Sequence, residues 1–125
     1  MMTIDTNILI AYVGGEAPVV QRIQEWRAQG ALLFISSVAE CELLSYPKLS
    51  DEETEKIERF LAEHFIAVPF DGARARKAAV VRRDIPSLKL PDAAIAALAL
   101  EMNTPLATRN VRDFKRITGL EIVIV

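Results

Sequence analysis

Short apolar runs alternate along this chain with longer stretches of helical period. Residues 2–5 read as a strand that ends on Asp5, and the run Ile8-Leu9-Ile10-Ala11 behind it reads as a short helix over 7–13. Val19, Ile23 and Trp26 share one face and predict a helix over 17–29. The sequence ALLFI at 31–35 is a buried strand, and Ser37 opens a helix to about Tyr46. Ser50-Asp51-Glu52-Glu53 forms a capping box before a helix to about His64. A short strand at 66–68 follows, and Asp71 caps a helix to about Asp84. Pro91 sits in the first turn of a helix reaching Met102, where a proline is tolerated. A strand at 105–107, a short helix at 111–117 and a strand at 121–125 complete the chain. Apolar strands alternating with helices imply an α/β protein with a parallel sheet covered on both faces. In such sheets functional groups gather at the carboxyl ends of the strands, where the chain order reverses. Asp5 stands at such an end, and a carboxylate there is costly to bury unless something pairs with it.

Composition narrows the class. A chain of 125 residues that is 51% hydrophobic and 26% charged reads as one ordinary globular domain, 1–125. The single cysteine, Cys41, excludes an intramolecular disulfide and fits a reducing cytosol; it reads as a buried thiol. No apolar run approaches the roughly 20 residues of a membrane span, and the N-terminus lacks the basic lead of a secretory signal. The expectation is a cytoplasmic protein. A net charge of −2 argues against a non-specific nucleic-acid binder. The distribution is uneven, however. Arg74, Arg76, Lys77, Arg82 and Arg83 crowd one segment, and Arg109, Arg112, Lys115 and Arg116 another. These clusters read either as solvated faces or as cations for a phosphate backbone.

Four acids need an account. Asp92 shares a helical face with Ile95, Ala99 and Met102, so it extends the apolar stripe toward the sheet. As an isolated first-turn acid it would simply complement the helix dipole. In SVAECELLSY, Ser37 and Glu40 fit a capping box, which gives Glu40 a structural task and leaves Glu42 without one; periodicity leans toward an inward Glu42. In LATRNVRDFKRI, Asp113 follows the turn Thr108-Arg109-Asn110 and on its own would be a solvated residue beside Arg112 and Lys115. Several inward carboxylates suggest a hard cation, Mg²⁺ or Mn²⁺, with water completing its shell. Zinc would favour His and Cys, and the lone histidine, His64, reads as structural or solvated. Such an ion can polarise a phosphoryl oxygen and make water nucleophilic without any histidine.

The residues that carry these readings resemble the PIN domain family. Asp5-Thr6-Asn7 follows a short strand, and Glu42-Leu43-Leu44 lies on the third helix. Leu90-Pro91-Asp92 precedes Ile95-Ala96-Ala97, and Thr108-Arg109-Asn110 leads to Asp113-Phe114. Four motifs in register cover nearly the whole chain, and the subgroup resembled is the VapC-type toxin of prokaryotic toxin–antitoxin pairs. The resemblance implies a three-layer α/β/α sandwich with a five-stranded parallel sheet, and a metal-dependent ribonuclease site at the strand ends. It implies Asp5, Glu42 and Asp92 as the core acids, with Thr6, Asn7 and Thr108 in support. Where many members have an aspartate, this chain has Asn110; the fourth acid is assigned to Asp113, with Asn110 as a neutral or water-mediated ligand. One or two Mg²⁺ or Mn²⁺ ions are implied. Hydrolysis of tRNA or rRNA, a homodimer and a small cognate antitoxin are implied too. Arg109, Arg112, Arg82 and Arg83 are the cations expected to meet RNA.

Three other readings compete. A signalling receiver domain would need a phospho-accepting aspartate at the end of the middle strand and a lysine before the last one. Asp71 instead reads as a helix cap, and Thr118-Gly119-Leu120-Glu121 has no lysine. A haloacid-dehalogenase-type phosphatase would need an aspartate where Asn7 stands. The third is a PIN domain that binds without cutting, but all three core acids are present and nothing in the sequence argues for lost activity; within the nuclease class, a housekeeping RNA-processing enzyme differs from a toxin in nothing this chain displays.

Overall fold

The computed structural model describes residues 1–125. Five strands form one sheet: β1 (Met2–Ile4), β2 (Leu33–Ser36), β3 (Ile66–Val68), β4 (Leu106–Thr108) and β5 (Ile122–Ile124). Their order is β3-β2-β1-β4-β5 and every pairing is parallel. Seven helices connect them: α1 (Thr6–Val13), α2 (Ala17–Ala28), α3 (Ser37–Leu44), α4 (Asp51–His64), α5 (Gly72–Asp84), α6 (Leu90–Met102) and α7 (Val111–Phe114). The chain moves outward from β1 through β2 to β3, then returns to lay β4 on the other side of β1. Right-handed crossovers therefore place the helices before β3 on one face and α5 and α6 on the other. The three-layer α/β/α arrangement follows, and the order reverses between β1 and β4. That reversal opens a crevice at the carboxyl ends of these two strands.

Two joins run from strand to helix with no loop. Ile4 ends β1, Asp5 is extended, and Thr6 already starts α1; Asp5 caps its own helix by accepting from the Thr6 amide at 2.8 Å. Likewise Ser36 ends β2 and caps α3, its Oγ accepting from Val38 N at 3.1 Å. The capping box expected of Ser37 and Glu40 is therefore absent. Because the last extended residue is Ser36, the cap moves back by one position. Ser37 Oγ instead accepts from Phe70 N at 2.8 Å and ties α3 to the segment after β3. The boxes at Ser50 and the cap at Asp71 form as expected. Helix α7 is shorter than its anticipated 111–117 span, and β2 lies over 33–36 rather than 31–35.

The core is built on α6. Ala93 through Ala99 are buried without interruption, so this helix has no solvent stripe along its centre and packs against β1, β2, α3 and α5. Five of those seven residues are not large aliphatics but alanines flanking Ile95 and Leu98, which lets neighbours approach closely. Cys41 is exposed, against the expectation of a buried thiol, because α3 turns Ala39 and Leu43 inward instead. His64 is structural: its Nδ1 pairs with Tyr12 Oη at 2.7 Å and its ring stacks on Phe60 at 4.1 Å.

Beneath the sheet's central strand, Thr3 Oγ1 and Thr104 Oγ1 share a buried hydrogen bond of 2.6 Å. Thr3→Val strands the Thr104 hydroxyl in a dry site and is expected to cost about 1–2 kcal/mol. Removing both hydroxyls together is expected to cost clearly less than the sum of the two single changes, measured as a double-mutant cycle in urea unfolding. Strict additivity would show that the pair is not coupled.

Candidate active site

The crevice at the β1/β4 reversal holds a cavity of about 200 Å³ with no hydrophobic lining. Its walls are Asp5, Thr6, Asn7, Glu42, Lys89, Pro91, Asp92, Asn110 and Asp113. The four carboxylates arrive from four elements: Asp5 from the end of β1, Glu42 from α3, Asp92 from the first turn of α6 and Asp113 from α7.

Hydrogen bonds orient three of them. Asp5 is 3% exposed, and each of its oxygens receives one donor: Oδ1 from Thr6 N, and Oδ2 from Thr108 Oγ1 at 2.7 Å. Thr108, last residue of β4, also accepts from Asn110 N at 2.9 Å, so its hydroxyl hydrogen is committed to Asp5. Thr6 Oγ1 donates to Glu42 Oε1 at 2.6 Å. Asn110 Nδ2 donates to Asp113 Oδ2 at 2.9 Å. An ionised carboxylate has about four acceptor positions, so each acid retains lone pairs for something else. Glu42 is exposed on α3 rather than packed inward; it reaches the cavity through Thr6.

The charges are not balanced within the cavity. Burial, partly offset by the Thr108 and Thr6 hydrogen bonds, raises Asp5 above the usual carboxylate range, and Glu42 adds to the rise. Asp92 is pushed up from 3.8 to about 6, chiefly by burial and then by the charges of Asp5, Asp113 and Glu42. Only the Lys89 ammonium pulls it back. The donors are all oxygen, apart from the amides of Asn7 and Asn110 and the Lys89 ammonium, and no histidine or cysteine is present. This is the chemistry of a hard divalent cation. No group of three acids stands ready-made as a direct ligand cluster. Hard cations that keep several of their waters are held through only one or two carboxylates.

The structure brings together Asp5, Thr6, Asn7, Glu42, Asp92, Asn110 and Asp113, and Thr108 stands directly behind Asp5. The anticipated RNA-facing arginines divide. Arg109 is committed to Glu16, with hydrogen bonds from both its terminal nitrogens, and does not line the cavity. Arg82 donates to Leu88 O at 3.1 Å and, with Arg83, flanks an apolar groove of about 580 Å³ formed by Phe70, Ala75, Ala79, Pro86 and Leu90. Arg112 alone of the four shares a lining with one of the acids, Asp113. Lys89 was not anticipated. It is the N-cap of α6, a position that favours Ser, Thr, Asp or Asn, and it makes no capping hydrogen bond. That mismatch was the available signal.

The raised Asp92 sets a pH dependence for the metal-free chain. The folded state holds this proton more tightly than the unfolded one, so ionisation costs stability. The cost is absent below about pH 4, grows as pH rises through about 6, and is constant above. Solvent screening of this half-exposed group limits it to about 1 kcal/mol. With EDTA present, Asp92→Asn is expected to raise the melting temperature by a few degrees near pH 8 and to leave it unchanged near pH 4. An equal loss of stability at both pH values would show that Asp92 is a structural acid.

Known proteins match this arrangement. The PIN domain profile covers residues 2–120. Ribonuclease VapC1 of Rickettsia felis is 30% identical over 133 residues, spanning 99% of this chain and 96% of the relative. A toxin–antitoxin complex from Klebsiella pneumoniae contains a chain 29% identical with a TM-score of 0.77, spanning 100% of this chain and 96% of that one. VapBC2 from Rickettsia felis, bound to a DNA fragment from its promoter, shares the fold with a TM-score of 0.84 at 22% identity, over 99% and 98% of the two chains. With its profile matched almost end to end and its acids gathered at the sheet reversal, the chain belongs to the PIN domain family.

Proposed function

We propose that this protein is a metal-dependent endoribonuclease of the VapC type, the toxin of a toxin–antitoxin pair, with tRNA or rRNA as substrate. The observation that carries the reading is the cavity that four carboxylates from four elements line with no hydrophobic residue among them. The similarity to a ribonuclease over the whole chain supports RNA as the substrate class. The similarity to a chain of a toxin–antitoxin complex supports a small antitoxin as partner. Exposed Ile10, Tyr46, Leu90 and Ile124 offer apolar surface for such a partner and for a second copy of the chain.

Asp5, Glu42, Asp92 and Asp113 are the residues that would hold one or two Mg²⁺ or Mn²⁺ ions. When bound, such an ion supplies Lewis acidity toward a phosphoryl oxygen and acidifies water. The chain supplies the rest. Thr108 and Thr6 fix both oxygens of Asp5, so that carboxylate is presented in one orientation. Asn110 does the same for Asp113, and Thr6 for Glu42. Asn7, exposed at the rim, has an amide free to meet a phosphate oxygen. The reaction is in-line hydrolysis: the oxygen of water bonds to phosphorus, the bond to the 3′ oxygen breaks, and that oxygen leaves as a hydroxyl. The products are a 3′-hydroxyl and a 5′-phosphate.

Purified protein incubated with total tRNA and rRNA is expected to give discrete fragments with Mg²⁺ or Mn²⁺ and none with EDTA. Asp5→Asn and Asp92→Asn are each expected to reduce cleavage by at least about 100-fold with the fold retained. Glu42→Gln is expected to do likewise, whereas Glu40→Gln is expected to leave cleavage intact. Cleavage that persists in EDTA, or in Asp5→Asn, would refute the metal-dependent reading. In the same preparations, Mn²⁺ is expected to raise the melting temperature of the wild type and not that of Asp5→Asn, which reports ion binding independently of cleavage.

A further inference from the structure

A second groove adjoins the acid cavity. It encloses about 670 Å³, has no hydrophobic lining, and is formed by Ser87, Asn110, Arg112, Asp113, Lys115 and Arg116. Asn110 and Asp113 belong to both spaces, so they form a shared wall with acids on one side and cations on the other. The loop before α6 supplies a common rim, with Ser87 in the groove and Lys89 in the cavity.

The groove is held in shape. Arg116 Nη1 donates to Ser87 Oγ at 2.8 Å, its Nε donates to the Asp113 carbonyl at 3.3 Å, and its Nη2 lies 3.6 Å from Asp113 Oδ1. These contacts pin the segment after α7 to the loop before α6. Arg112 and Lys115 are different. Both are exposed and neither is in an ion pair, unlike Arg74, Lys77 and Arg109, which are held by Asp71, Glu101 and Glu16. Uncommitted cations in a groove without apolar lining suit a polyanion with repeating charges. An apolar peptide would find nothing here to bury against.

We propose that this groove is a phosphate-binding subsite for the polynucleotide. Arg112 and Lys115 neutralise backbone phosphates away from the scissile bond, Arg116 and Ser87 shape the floor, and Lys89 continues the cationic track into the acid cavity. The proposal rests on the ribonuclease reading and deepens it. It explains how a chain of net charge −2 can hold a polyanion against a cavity of four acids. It also retains Arg112 from the four arginines expected to meet RNA, and puts Lys115 and Lys89 in place of Arg109, Arg82 and Arg83.

The test is binding of a labelled single-stranded RNA in EDTA, measured by fluorescence anisotropy across a range of KCl concentrations. Each phosphate contact to a single strand contributes about 0.7 to the slope of log affinity against log salt. Arg112→Ala and Lys115→Ala are each expected to lower that slope by about 0.7, and the double variant by about twice as much. Arg59→Ala, which removes the same charge from α4 and lines neither space, is expected to leave it unchanged. Circular dichroism of each variant checks the fold. A slope unchanged in Arg112→Ala and Lys115→Ala, with wild-type cleavage intact, overturns the subsite while the ribonuclease reading stands. A wild-type protein that neither binds nor cuts RNA overturns both. Polyglutamate that competes as well as RNA of equal charge would assign the groove to an acidic protein segment instead.

Discussion

The carboxylate of Asp5 lies at the end of the central strand, 3% exposed, where the sheet reverses its order. Burying it is unfavourable in itself, since desolvation alone raises its proton affinity. Two hydrogen bonds limit that cost, and both come from neighbours fixed by the sheet. Thr6 supplies its amide because β1 runs without a loop into α1. Thr108 supplies its hydroxyl because β4 pairs beside β1, with Ile4 opposite Ala107. The register of one strand pair thus decides whether this acid can exist in the folded chain. The other acids are then arranged around a charge that cannot move.

Helix α6 sets the second constraint. Its centre is buried on all sides, while its first turn emerges at the rim of the cavity, with Leu90 exposed and Asp92 half-buried. Asp92, in that turn, is half-buried and meets the charges of Asp5, Asp113 and Glu42. The result is a carboxyl group near pH 6 in a chain whose own cations do not reach it, except for Lys89. Perturbed acids of this kind mark places where stability is given up for chemistry. A cation would relieve the repulsion that the chain leaves unresolved.

Charge is partitioned rather than excessive. Arg74 and Lys77 of α5 and the Arg109 side chain are matched with acids, which makes them part of the fold's surface. Near the acid cavity, Lys89, Arg112 and Lys115 are in no ion pair, and only Arg116 is held by an acid, Asp113. The net charge of −2 is a sum over the whole chain and says little about either group.

Much was legible in the sequence. Apolar runs alternating with helical periods were enough for the parallel α/β architecture, because buried parallel strands must be apolar on both faces. Asp5 stood out as a carboxylate ending an apolar strand, and Asp92 as one on an apolar helical stripe. Glu42 was separable from Glu40 by the family register and by a capping argument whose details differ, since the cap is Ser36; the structure brings Glu42, not Glu40, to the cavity through Thr6. Resemblance to a known family supplied the register of Asp113 and the meaning of the set. What local pattern could not supply was partnership across the chain. Thr108 meets Asp5 over 103 positions, and Arg109 meets Glu16 over 93. Which arginines remain free, where Lys89 points and which side of α3 Cys41 occupies depend on such contacts. The sequence by itself determined which elements form and which residues are costly to bury. Only the tertiary structure decided which charges offset one another, because Coulomb and hydrogen-bond energies depend on distance in space and not on separation along the chain.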